Sequence, residues 1–382
     1  MNSTEWLTRL IAFDTTSRCS NLDLVHAVCN WLDIYHCTTR LTYDETGKKA
    51  NVFAMLPAQN GAHDGGIILS GHTDVVPVDG QQWDSDPFQA TVQHGNIIGR
   101  GACDMKGFLA VILSLLPQWS QSSLKKPVYF AFSYDEEVGC LGVPKLIADL
   151  QAEGIRPAAC IVGEPTLMQP VVAHKGIQAF RCRVHGQAAH SSLTHRGCNA
   201  IEYAAELVCA LRRFSMALKQ QDCDPDFDVP STSLTNNLIA GGSALNIIPS
   251  LCEVTFEFRH LPQVKPADII AFIQNYIEQD LLPAMRKEYP DAKIELQPLG
   301  SVPAFQAVEQ AAITQHTHRL AGSVQNRKVS YATEAGLFQQ AGIPTVLCGP
   351  GSIEQAHRAN EFVAIDQLRQ CEQFLSNLVQ QF

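Results

Sequence analysis

His72 and Asp74 stand two residues apart at the end of an apolar run that begins at Gly65-Gly66. A carboxylate beside a histidine can hold one ring nitrogen by a hydrogen bond and leave the other nitrogen free to bind a metal ion. On a β-strand both side chains would point to the same face, because strand side chains alternate. The pair alone predicts little, since most isolated histidines of this kind are simply hydrogen-bonded.

Further potential ligands follow other apolar runs or tight turns, and these are Asp104, Glu136, Glu137, Glu164 and, far downstream, His357. Carboxylates packed together in a crevice repel one another and raise each other's pKa, and a cation removes that repulsion. Imidazole and carboxylate without thiolate suit zinc, cobalt or manganese. Two histidines and three carboxylates can hold two metals about 3.5–4 Å apart if one carboxylate bridges them.

Glu136 and Glu137 are neighbours on a predicted turn, so their side chains should point in different directions. One of them could bind a metal while the other carries a proton. Metal-assisted hydrolysis uses this arrangement, because a cation lowers the pKa of a bound water toward ~7. A carboxylate then takes the proton from the water and passes it to the leaving nitrogen.

The elements that must position these residues alternate between strands and helices. Predicted strands cover 51–57, 66–70, 128–133, 158–162 and 345–348, a hairpin covers 85–99, and helices cover 4–13, 22–37, 108–116, 307–321 and 366–380. This alternation is typical of an α/β fold with a mostly parallel sheet and helices on both faces. Such sheets bind ligands at the carboxyl ends of their strands, where the candidate residues stand.

A different pattern begins near residue 175, where residues 177–185 alternate between apolar and polar, as in a half-exposed antiparallel strand. A helix at 199–219, strands at 233–239 and 251–259, a helix at 267–285 and a strand at 294–299 complete the segment. The order β-α-β-β-α-β is the ferredoxin-like split motif. We therefore predict an inserted α+β domain at 176–298, between catalytic-domain segments 1–175 and 299–382.

Composition excludes some partners. At 382 residues the chain is too long for a single ordinary core. The net charge of −10 argues against nucleic acid or an anionic membrane as a partner. Thirteen cysteines without a CxxC pair, and no signal-peptide pattern at the N-terminus, predict reduced thiols and a cytoplasmic location. The longest apolar run, 107–117, is shorter than the ~20 residues of a membrane span.

Several motifs along the chain resemble, in order, those of the di-zinc aminoacylase, deacetylase, desuccinylase and glutamate carboxypeptidase family. They lie at 70–77 (SGHTDVVP), 99–107 (GRGACDMKG), 135–139 (DEEVG), 163–166 (GEPT), 186–192 (GQAAHSS), 246–249 (NIIP) and 349–357 (GPGSIEQAH). Within that family the resemblance is closest to deacetylases acting on N2-acetyl-L-ornithine. One departure is Arg358-Ala-Asn-Glu361, where the family usually has Lys or Gln, then Pro-Asp-Glu.

The resemblance implies two Zn2+ ions, for which Co2+ can substitute. His72, Asp104 and Glu164 would bind one ion, and Asp104, Glu137 and His357 the other, with Asp104 bridging. Glu136 would be the general base, and Asp74 would orient His72. The inserted domain would serve as a lid and as the interface of a homodimer.

The resemblance also extends to the inserted domain. His190 would reach the partner's active site and stabilise an oxyanion, the alternative being an ordinary histidine on the lid surface. Arg259 could grip the substrate's carboxylate with a fork that lysine lacks, although a surface ion pair would explain it nearly as well. Asn246 is assigned to the same substrate region.

Two further residues are substrate-binding candidates in the downstream segment. Glu334 could recognise the distal ammonium of ornithine, or it could instead cap the helix at Ala335. Gly349, with Gly351, would let the backbone approach the substrate closely.

The activity that the resemblance implies is hydrolysis of N2-acetyl-L-ornithine to L-ornithine and acetate, as a step of arginine biosynthesis. The nearest alternatives are removal of succinate from succinyl-diaminopimelate and a general N-acyl-amino-acid hydrolase. A non-catalytic metal-binding protein would be expected to lack a ligand or the base, and none is missing. A cysteine hydrolase is disfavoured because no cysteine stands beside a histidine in a suitable motif.

Overall fold

The computed structural model describes residues 1–323 and 325–382, which form two compact units. The first unit contains Met1–Val172, Gln306–Arg327 and Thr333–Phe382, and the second contains Ala173–Phe305 and Lys328–Ala332. The predicted insertion at 176–298 lies within the second unit. That unit begins earlier, ends later and takes in a short downstream segment as well.

The strands, in chain order, are β1 (Thr38–Tyr43), β2 (Ala50–Leu56), β3 (Ile67–His72), β4 (Thr91–Gln93), β5 (Asn96–Ile98), β6 (Val128–Ser133), β7 (Ala159–Val162), β8 (Val171–His174), β9 (Gly176–His185), β10 (Ala189–His190), β11 (Ser233–Gly241), β12 (Ile247–Ile248), β13 (Leu251–His260), β14 (Lys293–Val302), β15 (Phe305–Gln306), β16 (Arg327–Val329), β17 (Thr345–Leu347) and β18 (Phe362–Ala364). The helices are α1 (Ser3–Ile11), α2 (Leu22–Ile34), α3 (Lys106–Ser120), α4 (Val143–Ala152), α5 (Ala200–Leu218), α6 (Pro266–Tyr276), α7 (Leu282–Glu288), α8 (Ala312–Ala321), α9 (Ala335–Gln340) and α10 (Ile365–Val379).

The first unit is built on a sheet in which the strands run in the order β1-β2-β6-β3-β7-β17. β3 is parallel to both β6 and β7, and β17 is parallel to β7, whereas β2 is antiparallel to β1 and β6. Every residue of β2, β3, β6 and β7 is buried, so both faces of this sheet are covered. The α/β fold with a mainly parallel sheet is therefore confirmed.

Some element boundaries differ from the prediction. The helix predicted at 108–116 is α3, which extends to Ser120 with Pro117 inside it. The helix predicted at 307–321 begins only at Ala312, because the Ala307 amide donates to the Val172 carbonyl at 2.7 Å and keeps that segment extended. The predicted hairpin is shorter and consists of β4 and β5, which β18 joins as a third strand. Strand β1 has a polar sequence at the sheet edge and no prediction covered it.

The second unit contains an antiparallel sheet with the strand order β11-β13-β9-β14. That order, with α5 after β9 and α6 after β13, is the split βαββαβ arrangement. Its core combines Leu207 of α5, Phe256 of β13 and Ile273 of α6. The predicted helix at 267–285 is α6 followed by a π-helical turn, Ile277–Leu281, and α7.

Two features concern the chain as a whole. All thirteen cysteines are free thiols, and Cys160, Cys182 and Cys252 are buried among apolar residues. Among the residues that the structure describes, none of the helices combines the length and the apolar character that crossing a membrane requires.

Candidate metal centre

The first group of potential ligands stands where three neighbouring parallel strands end. His72 is the last residue of β3, Glu164 follows β7 by two residues, and Glu136 follows β6 by three. One ligand atom from each of these residues lies within 4.8 Å of the others. His72 and Glu164 are buried, and Glu136 is partly buried. We call these three residues the strand-end site.

A second group forms around Asp104, which lies in the turn before α3. His72 Nε2 is 3.0 Å from Asp104 Oδ1, and His357 Nε2 is 3.4 Å from Asp104 Oδ2. His357 Nε2 also lies 2.9 Å from Glu137 Oε2. We call Asp104, Glu137 and His357 the loop-held site. The structure thus brings all five predicted ligands into one crevice, with Asp104 between the two histidines.

The acid–base properties of the crevice are those of ligands grouped for a cation. Burial and the repulsion between neighbouring carboxylates raise the pKa of Glu136 and Glu164 well above the usual range for glutamate. The same causes raise the pKa of Glu137 to about 7. Among the described residues, Glu137 Oε1 is one of the few buried polar atoms without a hydrogen-bond partner. A divalent cation would remove the repulsion and complete the coordination of that oxygen, so these residues fit one.

Asp104 differs from the other carboxylates. Burial acts to raise its pKa, but hydrogen bonds from His357 and His72 outweigh burial and hold the pKa below the usual range. The bonds to Asp104 and Glu137 raise the pKa of His357 to about 10. Asp104 is therefore held ionised between the two groups, which is the position that a bridging ligand requires.

Asp74 was predicted to orient His72 through its carboxylate, but the geometry is different. His72 Nδ1 lies 2.9 Å from the main-chain carbonyl oxygen of Asp74, whereas Asp74 Oδ1 is 3.7 Å away. The Asp74 carboxylate instead accepts hydrogen bonds from the Glu136 amide at 3.1 Å and from Ser17 Oγ at 2.7 Å. Asp74 therefore orients His72 by its backbone and supports the Glu136–Glu137 turn by its side chain.

Lys49 is a site residue that the sequence analysis missed. Its ammonium group donates to both carboxylate oxygens of Asp135, at 2.6 and 2.7 Å. Asp135 has a left-handed backbone with φ of 55°, a conformation that non-glycine residues adopt only where their surroundings hold them. The lysine thus secures the residue that introduces Glu136 and Glu137. No motif around Lys49 could have revealed this contact, since 86 residues separate it from Asp135.

Glu334 stands at the N-cap position of α9, but its side chain turns to the strand ends and makes no capping hydrogen bond. Its carboxylate accepts hydrogen bonds from Ser70 Oγ of β3 at 3.2 Å and from Ser133 Oγ of β6. The first amide of α9, that of Ala335, donates to Thr333 Oγ1 instead, so capping by the Glu334 side chain is wrong. Burial raises the pKa of Glu334 to about 7. Contact between Glu334 and a substrate stays a prediction.

Gly349 is needed for packing between chain segments. A Cβ atom at this position would lie 2.0 Å from the main-chain oxygen of Gly163 and 2.6 Å from that of Glu164. The close approach that glycine permits is therefore an approach to the backbone that carries Glu164. Close approach of the Gly349 backbone to a substrate stays a prediction.

The remaining candidates belong to the second unit. His190 in β10 is exposed, and its Nδ1 lies 2.8 Å from Ser192 Oγ. The Ser191 amide donates to the carbonyl oxygen of Asn246 at 3.0 Å, so His190 and Asn246 lie on one exposed ribbon. Arg259 forms an ion pair with Glu257, with Nε 3.0 Å from Oε1. This is the alternative to substrate binding that the sequence analysis considered.

Comparisons with known proteins agree on one family. The model of peptidase family M20/M25/M40 matches residues 68–381. An acetylornithine deacetylase from Pasteurella multocida is 35% identical over 365 residues, which cover 95% of this chain and 92% of the relative. An acetylornithine deacetylase from Proteus mirabilis is 33% identical over 373 residues, covering 97% of this chain and 92% of the relative.

Solved structures share the fold at low sequence identity. An M20 family metallo-carboxypeptidase from Sulfolobus solfataricus superposes with a TM-score of 0.77 at 15% identity, covering 100% of this chain and 99% of that one. A dinuclear metal binding peptidase of the M20 family from Bacillus subtilis gives a TM-score of 0.67 at 16% identity, covering 99% and 98%.

Proposed function

The chain belongs to peptidase family M20/M25/M40 and is a metal-dependent hydrolase of amide bonds, and from this we propose that it deacetylates N2-acetyl-L-ornithine. The products would be L-ornithine and acetate. We further propose that the reaction serves arginine biosynthesis in the cytoplasm. Relatives named acetylornithine deacetylase, 33–35% identical over most of the chain, support this substrate.

The observation that carries the proposal is the convergence of two histidines and four carboxylates in one crevice of the first unit. We propose that it holds two zinc ions, for which cobalt can substitute. His72, Asp104 and Glu164 would hold one ion, and Asp104, Glu137 and His357 the other. When bound, such ions polarise an amide carbonyl and lower the pKa of water.

Glu136 is the proposed general base. Its amide donates to the Asp74 carboxylate and its turn is secured by Lys49 through Asp135, so the backbone that carries the Glu136 carboxylate is held in place. A carboxylate so placed can take a proton from water and return it to the departing amine nitrogen. A carboxylate oxygen of Glu136 also lies within 4.8 Å of ligand atoms of His72 and Glu164. Experiment must therefore decide whether Glu136 acts as the base or binds a metal ion.

Three of the proposed substrate-binding residues belong to the second unit. We assign His190 to the oxyanion of the partner protomer's substrate, which makes a homodimer part of the proposal. Arg259 and Asn246 are assigned to the substrate's α-carboxylate, which an arginine fork matches in shape. Glu334 and Gly349 complete the proposed substrate set.

The alternative is the same chemistry on another acyl amino acid, either succinyl-diaminopimelate or a broad range of N-acyl amino acids. Acetate release from N2-acetyl-L-ornithine should be measured before chelation, after chelation and after zinc is added back. We expect activity to disappear on chelation and to return with zinc. A panel of acetyl, succinyl and formyl substrates should also be compared. Faster turnover of succinyl-diaminopimelate than of N2-acetyl-L-ornithine would refute the acetylornithine assignment but not the assignment as a metal-dependent amide hydrolase.

A further inference from the structure

We propose that Gln81, Arg100 and Glu361 form a clasp that holds Asp104 and His357 together, so that the loop-held site binds its cation. None of these three residues is among the ligands or the base. The inference rests on the proposed function, because it assumes two cations. The inference concerns the contacts that hold the two loops carrying Asp104 and His357.

Glu361 is the centre of the clasp. Its side chain is buried, and its Oε1 accepts hydrogen bonds from the amides of Cys103 at 2.8 Å and Asp104 at 3.0 Å. Its Oε2 accepts from the Gly101 amide at 3.0 Å and from Arg100 Nη1 at 2.7 Å. One carboxylate therefore accepts hydrogen bonds from three backbone amides of the turn that contains Asp104. Because Glu361 follows His357 by four residues, the same contact ties the two loops together.

Arg100 and Gln81 extend the clasp to His357 itself. Arg100 is buried, donates to the Arg358 carbonyl oxygen at 3.2 Å and bonds Gln81 Oε1. The Arg100 guanidinium also lies over the Trp83 ring, 5.1 Å from its centre. Gln81 Nε2 donates to the main-chain carbonyl oxygen of His357 at 2.9 Å. Gln81 thus joins the arginine to the backbone of the ligand.

The backbone at His357 needs such support. His357 has φ of 62°, in the left-handed region, and its side chain is half exposed. A non-glycine residue keeps this conformation only when neighbouring contacts favour it. The strand-end ligands have other support, since His72 pairs with Ser133 in the sheet ladder and the Gly163 amide donates to the Ser70 carbonyl at 3.0 Å. The clasp should therefore matter to one site more than to the other.

Gln81→Glu isolates this effect. In the native protein Gln81 Oε1 accepts hydrogen bonds from Arg100 and from Trp83 Nε1, the latter at 3.0 Å. The substituted side chain keeps an oxygen for both donors but loses the N–H that reaches the His357 carbonyl. The bonds from Glu361 to the Asp104 turn are left in place. Gln82→Glu is the matched control, because it makes the same change of charge at the exposed neighbouring residue.

Zinc binding should be measured on the purified full-length chain, by dialysis against graded free-zinc buffers followed by metal analysis. We expect Gln81→Glu to bind one ion as the unsubstituted protein does and the other about ten- to a hundredfold more weakly, a range typical for residues that support metal ligands. Gln82→Glu should bind both ions normally. Cobalt absorption spectra would report the same selective loss without reference to activity.

A second variant, Glu361→Gln, puts an amide N–H against the backbone donors of the Asp104 turn and should weaken binding further. If it does not fold, Gln81→Glu still decides the matter. Suppose that the unsubstituted protein binds two ions, and that Gln81→Glu binds both as tightly or weakens both equally. That result would overturn the clasp and leave the proposed function standing. A single ion in the unsubstituted protein would overturn the proposed function and the clasp with it.

Discussion

The two halves of the metal centre use the same ligand chemistry but are held in different ways. The strand-end site depends on β3, β6 and β7, which are adjacent, parallel and buried along their whole length. The loop-held site depends on irregular segments before α3, after β6 and before β18. In the first half, backbone hydrogen bonds between strands place the ligands. In the second half, buried side chains do so.

Left-handed backbone occurs near both halves of the centre. Asp135, Cys140, His357 and Asn360 have this conformation in the segments that carry Glu137 and His357, and Leu167 and Met168 have it just after Glu164. Such conformations are unfavourable by about 1–3 kcal/mol each. The charged contacts of Lys49, Arg100 and Glu361 hold the segments that carry Glu137 and His357. The loop-held half therefore depends on a few long-range contacts that single substitutions can remove.

The largest expected effect comes from Glu136, which belongs to the strand-end site but stands on the turn that also carries Glu137. Glu136→Ala should lower turnover by about 10²–10⁴-fold, because proton transfer is lost. The variant should still bind two zinc ions, as measured by metal analysis. Glu309→Ala, at an exposed position, is the control and should keep full activity. Retained turnover would refute the base assignment, and a single bound ion would make Glu136 a ligand of the strand-end site.

A smaller effect is expected when the support of the Glu136–Glu137 turn is removed. Lys49→Met leaves the Asp135 carboxylate without its ammonium partner and should destabilise the fold by about 1–3 kcal/mol, which calorimetry would measure. We expect the turnover number to fall more than the Michaelis constant changes, and Lys49→Arg to recover part of the loss. Lys48→Met, at the exposed neighbour, should change neither quantity. Equal losses in both variants would count against the support.

An effect that appears only as the pH rises should come from the buried carboxyl of Glu334 at the strand ends. Burial raises the pKa of Glu334 to about 7 from 4.5, so the folded state holds a proton that the unfolded state releases. That contribution to stability is present below pH 4.5 and is lost as the pH rises through 7.

Glu334→Gln removes this titration and keeps a hydrogen-bonding side chain. The variant should gain stability relative to the unsubstituted protein as the pH rises, by at most about 3 kcal/mol across this range. Thermal unfolding at pH 5 and pH 8 in the presence of a chelator would measure it. Glu354→Gln, at an exposed position, should show no such trend, and a constant difference for Glu334→Gln would contradict the assignment.

Much of the strand-end half could be predicted from the sequence. The apolar segment 128–133 is β6 with the predicted bounds, and the segments before His72 and Glu164 are β3 and β7 within a few residues. A fully buried strand needs a continuous apolar run, so its end is visible in the sequence. The order of elements likewise predicted the α/β sheet and the split motif of the second unit.

The loop-held half could be predicted only in part. The motifs predicted that Asp104, Glu137 and His357 are ligands, but they gave no sign of the contacts that Lys49, Gln81, Arg100 and Glu361 make with the same segments. The actual contacts of Glu334 with two serines and of Gly349 with Gly163 were also missed. These contacts join residues far apart in the chain, and local sequence patterns carry no information about such pairs.

The sequence by itself therefore determined the kinds of ligand, the elements that end at them and the order of those elements. These follow from local properties, namely apolar runs, turn residues and the alternation of strand and helix. Only the tertiary structure decided that Asp104 lies between two histidines, that Asp74 supports the neighbouring turn and that one buried carboxylate holds two loops. The physical reason is that these arrangements arise from packing between distant segments, where burial makes each charge require a partner.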